Sequence, residues 1–204
     1  MKKVIVASNN EHKVKEIKEI LNNLNVEIVS LKDAGIFIDV EEDGKTFEEN
    51  AYKKAKVITE YLLENGESNF IVMSDDSGLE VECLNGEPGV YSARYAGEHG
   101  NSEKNNEKLL NNLRGVEKEQ RGASFVCSIV LITDNLEEIK VEGRTHGEIT
   151  ETYSGSSGFG YDPIFFVKDF NKTFAQMTSK EKNLISHRGK ALNKIRAALE
   201  NFLK

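Results

Sequence analysis

The sequence predicts an α/β fold on a mixed β-sheet with flanking helices. Three observations predict it: the chain opens strand, turn, helix; the same order then recurs; and two later apolar segments flank Asp134-Asn135 as a hairpin would. Parallel neighbours need helical crossovers and hairpins are antiparallel, so the two patterns together require a mixed sheet. No linker, repeat or low-complexity tract interrupts the 204 residues. Residues 1–204 are therefore read as a single domain, undivided or split by a substrate cleft into two lobes.

The first strand is Val4-Ile5-Val6-Ala7, apolar and β-branched, and Ser8-Asn9-Asn10 ends it. Val14, Ile17, Leu21 and Leu24 then recur at helical spacing, and Val26 to Leu31 alternates as a second strand. After the acidic stretch Asp39 to Asp43, Thr46-Phe47-Glu48-Glu49 carries a capping-box pattern and opens a helix to about Leu63, where Asn65-Gly66 stops it. Phe70 to Met73 reads as a buried strand, Ser74-Asp75-Asp76-Ser77-Gly78 as a break, and Leu79 to Cys83 as its resumption. Asn101 to Leu113 is a polar helix, Ala123 to Thr133 and Glu138 to Arg144 the hairpin, Ile164 to Val167 a short strand and Leu192 to Leu203 a closing amphipathic helix.

Composition excludes whole classes of function. With 38% hydrophobic and 30% charged residues, the chain has no apolar run near the roughly 20 residues of a membrane span, so no membrane partner is expected. Val4 to Ala7 is too short for the apolar region of a signal peptide, which predicts a cytoplasmic protein. A net charge of −7 argues against gripping a nucleic acid polymer by counterion release. From Asn171 to Lys204, however, eight Lys and Arg face two Glu, a basic segment that suits a small anion or is simply the solvated face of a terminal helix. Cys83 and Cys127 show neither disulfide nor zinc spacing and are read as reduced, packed thiols.

Four regions could carry chemistry. Ser8-Asn9-Asn10-Glu11-His12-Lys13 puts hydroxyl, amide and ammonium groups at a helix N-terminus, where open N–H groups and the dipole favour a phosphate, although a Ser/Asn cap is also common without a ligand. Asp75-Asp76 leaves a strand where α/β folds place ligands, and two adjacent carboxylates are more easily understood if Mg2+ neutralises them, with Glu41 or Glu42 as a further ligand. The alternative is an acidic turn capping its own backbone. Gly158-Phe159-Gly160-Tyr161-Asp162-Pro163 offers ring faces for a purine and one carboxylate for its polar edge, or is a glycine-rich turn with core aromatics. Glu181-Lys182-Asn183 and Ser186-His187-Arg188 gather donors before the last helix.

Taken in order, these segments resemble the inosine/xanthosine triphosphate pyrophosphatase family over nearly the whole chain. The matching stretches also include Gly44-Lys45-Thr46-Phe47-Glu48-Glu49-Asn50-Ala51 and Pro88-Gly89-Val90-Tyr91-Ser92-Ala93-Arg94-Tyr95. The resemblance implies an elongated α/β fold with two lobes around a central substrate cleft, a homodimer, and Mg2+-dependent hydrolysis, with Mn2+ as a substitute. ITP, dITP and XTP would be cut to the nucleoside monophosphate and pyrophosphate, clearing deaminated purines from the nucleotide pool. By position in the motifs, Ser8, Asn9, Asn10, Glu11, His12 and Lys13 would hold the triphosphate. Asp76 would be base and metal ligand, Asp75 would support the metal, Ser77 would touch the substrate, and Glu41 or Glu42 would complete the metal site. Phe159, Gly160, Tyr161, Asp162, Lys182, His187 and Arg188 would form the base pocket, Arg188 favouring a six-keto oxygen over an amino group. Two positions depart from the family pattern: Asn9 stands where Gly is usual, an exchange tolerable because Asn visits left-handed backbone, and Gln176 stands where Glu is usual and is assigned no catalytic role. A related pyrophosphatase acting on other modified nucleotides and a nucleotide-binding regulatory module without turnover are the competing readings; the second leaves Asp75, Asp76, Lys13 and the acidic stretch without a purpose.

Overall fold

The computed structural model describes residues 2–202. Its strands are β1 (Lys3–Val6), β2 (Glu27–Ser30), β3 (Phe70–Val81), β4 (Gly122–Thr133), β5 (Glu138–Ile149), β6 (Phe165–Val167) and β7 (Lys172–Thr173). The α-helices are α1 (Glu11–Ile20), α2 (Phe47–Glu64), α3 (Ser102–Asn112), α4 (Ser179–Ile185) and α5 (His187–Phe202). The strands form one seven-stranded sheet in the order β2-β1-β3-β4-β5-β6-β7. β1 runs parallel to β2 and β3, while β6 pairs antiparallel with β5 and β7, so the sheet is mixed.

The chain divides into two compact units, one of residues 1–76, 127–143 and 188–204, the other of residues 77–126 and 144–187. In the first, β1 turns Val4 and Val6 toward α1 and α5 and Ile5 toward α2, where Ala7 just beyond the strand also packs, so both faces of the strand are buried. Ala191, Leu192, Ile195 and Leu199 of α5 have no exposed surface, and burying each large apolar side chain among them contributes roughly 1.5–3 kcal/mol. Asn10 caps α1 and Thr46 caps α2 through their side-chain oxygens, as the sequence predicts. In the second unit, Leu109 and Leu113 from the α3 region close a core with Leu79, Val81, Phe125, Phe165 and Phe174. The buried Arg121 side chain donates to the carbonyls of Leu113, Ile149 and Thr150, satisfying the C-terminal end of α3 from inside.

Several expectations need correction. Ser74 to Gly78 does not break a strand: β3 is continuous, with Ser74, Asp75 and Asp76 buried, which also rules out the acidic-turn reading. Strand pairing survives because each polar side chain has a partner, and for Ser74 this is the Ala51 carbonyl. β5 extends to Ile149, and α5 begins at His187 rather than Leu192; its predicted end at Leu203 lies outside the described residues. Cys127 is buried but Cys83 is exposed, so only one thiol is packed. Among the described residues the positive-φ positions other than glycine are Asn69, Asn85, Leu136 and Asn171, so Asn9 needs no left-handed backbone and its side chain is simply exposed. Gln176 accepts from the Thr173 N–H at 2.9 Å, a structural capping role that an amide fills as well as a carboxylate.

Candidate active site

Strand geometry decides how the two adjacent carboxylates behave. Successive side chains of β3 point to opposite faces, so Asp75 shares the face of Ile71 and Met73 with α1 and α5, and Asp76 shares the face of Phe70 and Val72 with α2. They leave the strand on opposite faces and do not form a facing pair, although the Lys13 cation acts on both carboxylates.

Asp75 has no exposed surface and meets three donors. Lys13 Nζ lies 2.6 Å from Oδ1, Arg188 Nε 2.8 Å from Oδ2, and the Cys127 thiol 3.0 Å from Oδ2. Burial works against its charge, but the Arg188 and Lys13 cations outweigh it and hold the carboxyl well below its ordinary range. Burial likewise pulls Lys13 down, yet Asp75 raises it beyond its ordinary value. Arg188 is 1% exposed, with Nη1 on Glu16 of α1. Its planar fork therefore serves two carboxylates, and the expected role of that fork on a purine keto oxygen is not supported by this arrangement.

Asp76 faces α2. Asn50 Nδ2 donates to its Oδ2 at 3.0 Å, and Lys54 Nζ stands 3.7 Å from its Oδ1, 2.6 Å from Glu42 Oε1 and 2.9 Å from the Asp75 carbonyl. Burial pushes the Asp76 carboxyl above its ordinary value, Lys54 and Lys13 pull it back and Glu42 adds to the rise. Such a carboxylate is a base of strengthened proton affinity. Of the two candidate glutamates, Glu42 shares Lys54 with Asp76, while Glu41 is exposed.

These residues fit a divalent cation. Asp76 and Glu42 already aim hard oxygen donors at one cationic centre, the Lys54 ammonium, and Mg2+ takes one or two carboxylates and completes its shell with water and phosphate. Among the described residues no three His, Cys, Asp or Glu side chains converge as a metal cage, so substrate and water would supply the rest.

At the start of α1, Ser8 and Lys13 are half-buried and residues 9–12 exposed. The Asn10 carboxamide already accepts from the N–H groups of His12 and Lys13, at 3.0 and 3.2 Å, so two amides expected to be open for an anion are capped from within.

In the second unit, Lys182 is the hub. Its Nζ lies 2.7 Å from Asp162 Oδ2, 4.8 Å from the centre of the Phe159 ring and 5.6 Å from that of Phe174. The same Asp162 oxygen accepts from the Phe159 N–H at 2.8 Å, which fixes the turn through Gly158 and Gly160. Phe159 and Gly160 are half-buried, as is Ser77 on β3. His187 stacks on Phe125 with ring centres 4.7 Å apart. Tyr161 corrects the expectation of a stacking platform: it is 4% exposed, lies in the core, and its hydroxyl donates to the Ser92 carbonyl.

No site role is read from the sequence for Asn50, Lys54, Glu16, Cys127 or Phe125, although Asn50 stands in a stretch that matches the family and Cys127 is expected as a packed thiol. Asn50 and Lys54 carried a signal, two polar residues four apart on the same helical stripe as Phe47, Ala51, Ala55 and Ile58, all of them buried. The others had none, since their partners are distant in sequence.

Both the sequence and the fold have counterparts among known proteins. A dITP/XTP pyrophosphatase of Clostridium perfringens is 64% identical over 204 residues, all of both chains, and one of Bacillus subtilis is 48% identical over 98% of each. Among solved structures, that of the Staphylococcus aureus Ham1 protein is 44% identical with a TM-score of 0.85, covering 98% of this chain and 99% of that one. The Coxiella burnetii HAM1 protein superposes equally well at 36% identity. The model of the Ham1 family matches residues 4–198 and so runs through both compact units; the chain belongs to the Ham1 family.

Proposed function

We propose that this protein hydrolyses ITP, dITP and XTP between the α- and β-phosphates, releasing the nucleoside monophosphate and pyrophosphate and keeping deaminated purines out of DNA and RNA. The observation that carries the reading is Asp76: a buried carboxyl of raised proton affinity, held by Asn50 and sharing Lys54 with Glu42. Curated relatives named dITP/XTP pyrophosphatase supply the substrate class. The reading also carries a homodimer working in the cytoplasm with Mg2+, replaceable by Mn2+.

Asp76, buried beside α2, takes the proton of the attacking water. Asn50 orients the carboxylate and Lys54 balances its charge and that of Glu42. Asp76 and Glu42 would hold Mg2+, which when bound would neutralise phosphate oxygens and so lower the barrier to attack of water on the α-phosphorus, with pyrophosphate as the leaving group. Ser8 to Lys13 contact the triphosphate, with Lys13 steadied by Asp75. For the base, the half-buried Phe159 ring provides a stacking face. Lys182, anchored by Asp162, and the neighbouring His187 segment offer donors that favour a six-keto oxygen over an amino group. No covalent intermediate is involved.

The test is hydrolysis with Mg2+ over ITP, dITP, XTP, GTP, ATP and UTP, reading pyrophosphate and orthophosphate separately. Pyrophosphate released chiefly from ITP, dITP and XTP is expected. Orthophosphate release, or equal rates on ATP and GTP, would overturn the assignment.

A further inference from the structure

Gly44 ends the acidic stretch that contains Glu42, and its backbone N–H donates to Asn50 Oδ1 at 2.8 Å. The other end of the same carboxamide donates to Asp76 Oδ2 at 3.0 Å. Asn50 is 1% exposed and sits in the first turns of α2, so one rigid planar group spans the loop and the strand. Orientation is not free: only the amide nitrogen can donate to a carboxylate, and only the carbonyl oxygen can accept from an N–H. The loop is shaped around this contact, because a Cβ at Gly44 would fall 2.6 Å from Asn50 Oδ1 and 2.9 Å from Glu49 Cβ.

Glu42 and Asp76 come from separate segments, a loop and a strand, and share Lys54. A cation ligated by both depends on their separation being held before it arrives, since disordered ligands lose entropy on binding. We propose that Asn50 is a positioning residue that sets the Glu42 loop against Asp76 and so preorganises the divalent-cation site. The inference rests on the metal reading given under the proposed function. It makes Asn50 part of the second layer of that site, where loss of a ligand's hydrogen-bond partner characteristically weakens metal affinity 10- to 100-fold.

The experiment is a Mn2+ titration of the full chain without nucleotide, followed by electron paramagnetic resonance of free Mn2+. Wild type, Asn50→Ala, Asp76→Asn and the double variant are compared, with circular dichroism as the check on folding. Asn50→Ala is expected to weaken Mn2+ binding about ten-fold. In the Asp76→Asn background the Asn50 substitution is expected to change nothing further, because its effect passes through Asp76. Asn50→Ser, too short to span both partners, serves if the alanine variant does not fold and is expected to weaken binding likewise. If Asp76→Asn weakens binding and the Asn50 variants do not, or if the Asn50 effect persists undiminished without Asp76, the positioning role is overturned and the metal reading stands. If Asp76→Asn binds Mn2+ as wild type does, the metal reading falls and the inference falls with it.

Discussion

The Arg188 guanidinium meets Asp75 side on, Nε 2.8 Å from Oδ2 and Nη2 3.4 Å from Oδ1, with neither side chain more than 1% exposed. Nη1 reaches Glu16, so one planar fork ties α5 to β3 and α1. Arg188→Met leaves two carboxylates short of a cation in a buried place, and a loss of about 3–5 kcal/mol in urea unfolding is expected. Arg188→Lys recovers little of it, because an ammonium lacks the fork that serves both acids. Full stability in the lysine variant would contradict this.

The same pair sets an acid limit. The folded-state affinity of Asp75 for a proton is depressed, so its contribution is complete above the ordinary value of 3.8 and is lost as pH falls from there toward the folded value. The stability difference between wild type and Asp75→Asn should therefore be constant near neutrality and close only below 3.8. A gap that narrows already at neutral pH would show that another group controls it.

Asp76 has the opposite sign. Its folded-state affinity is raised, so the ionised carboxylate destabilises the fold at neutral pH, and this penalty disappears as acid protonates it. Asp76→Asn keeps the shape, removes the charge and is expected to abolish turnover while melting at or above the wild-type temperature at neutral pH. The advantage should shrink on acidification. A variant that is both inactive and clearly less stable would mean that Asp76 is a structural anchor.

The contrast between these neighbours marks what the sequence made legible. Helix caps, the mixed sheet and the chemistry-bearing stretches are local patterns, and Asn10 and Thr46 fill the roles that their positions predict. The segment from Ser74 to Gly78 looks like a break because it is polar, but it is held as strand by partners as far away as Arg188, 113 positions along the chain. Alternation along β3 was available from the sequence and separates Asp75 from Asp76, yet only once the segment is known to be extended. Asn50 and Lys54 were hidden in plain periodicity, and Tyr161 looked available because a hydroxyl partner such as the Ser92 carbonyl, 69 positions away, leaves no local trace.

In the second unit, Gly158 has φ +80° and a Cβ built there would lie 2.0 Å from Asp162 Oδ2, the atom that accepts from both Phe159 N and Lys182 Nζ. Gly158→Ala combines two costs. The left-handed backbone disfavours alanine by an amount of order 1–3 kcal/mol, and the methyl group displaces the carboxylate that anchors Lys182. Because Lys182 lies over the Phe159 ring, the displacement should reach base recognition: KM for ITP should rise and the preference for ITP over ATP should fall, with kcat changed far less. Asp162→Ala, which removes the anchor without straining the turn, separates the two effects. It should reproduce the loss of selectivity without the backbone penalty, and unchanged selectivity in both variants would remove Asp162 and Lys182 from base recognition.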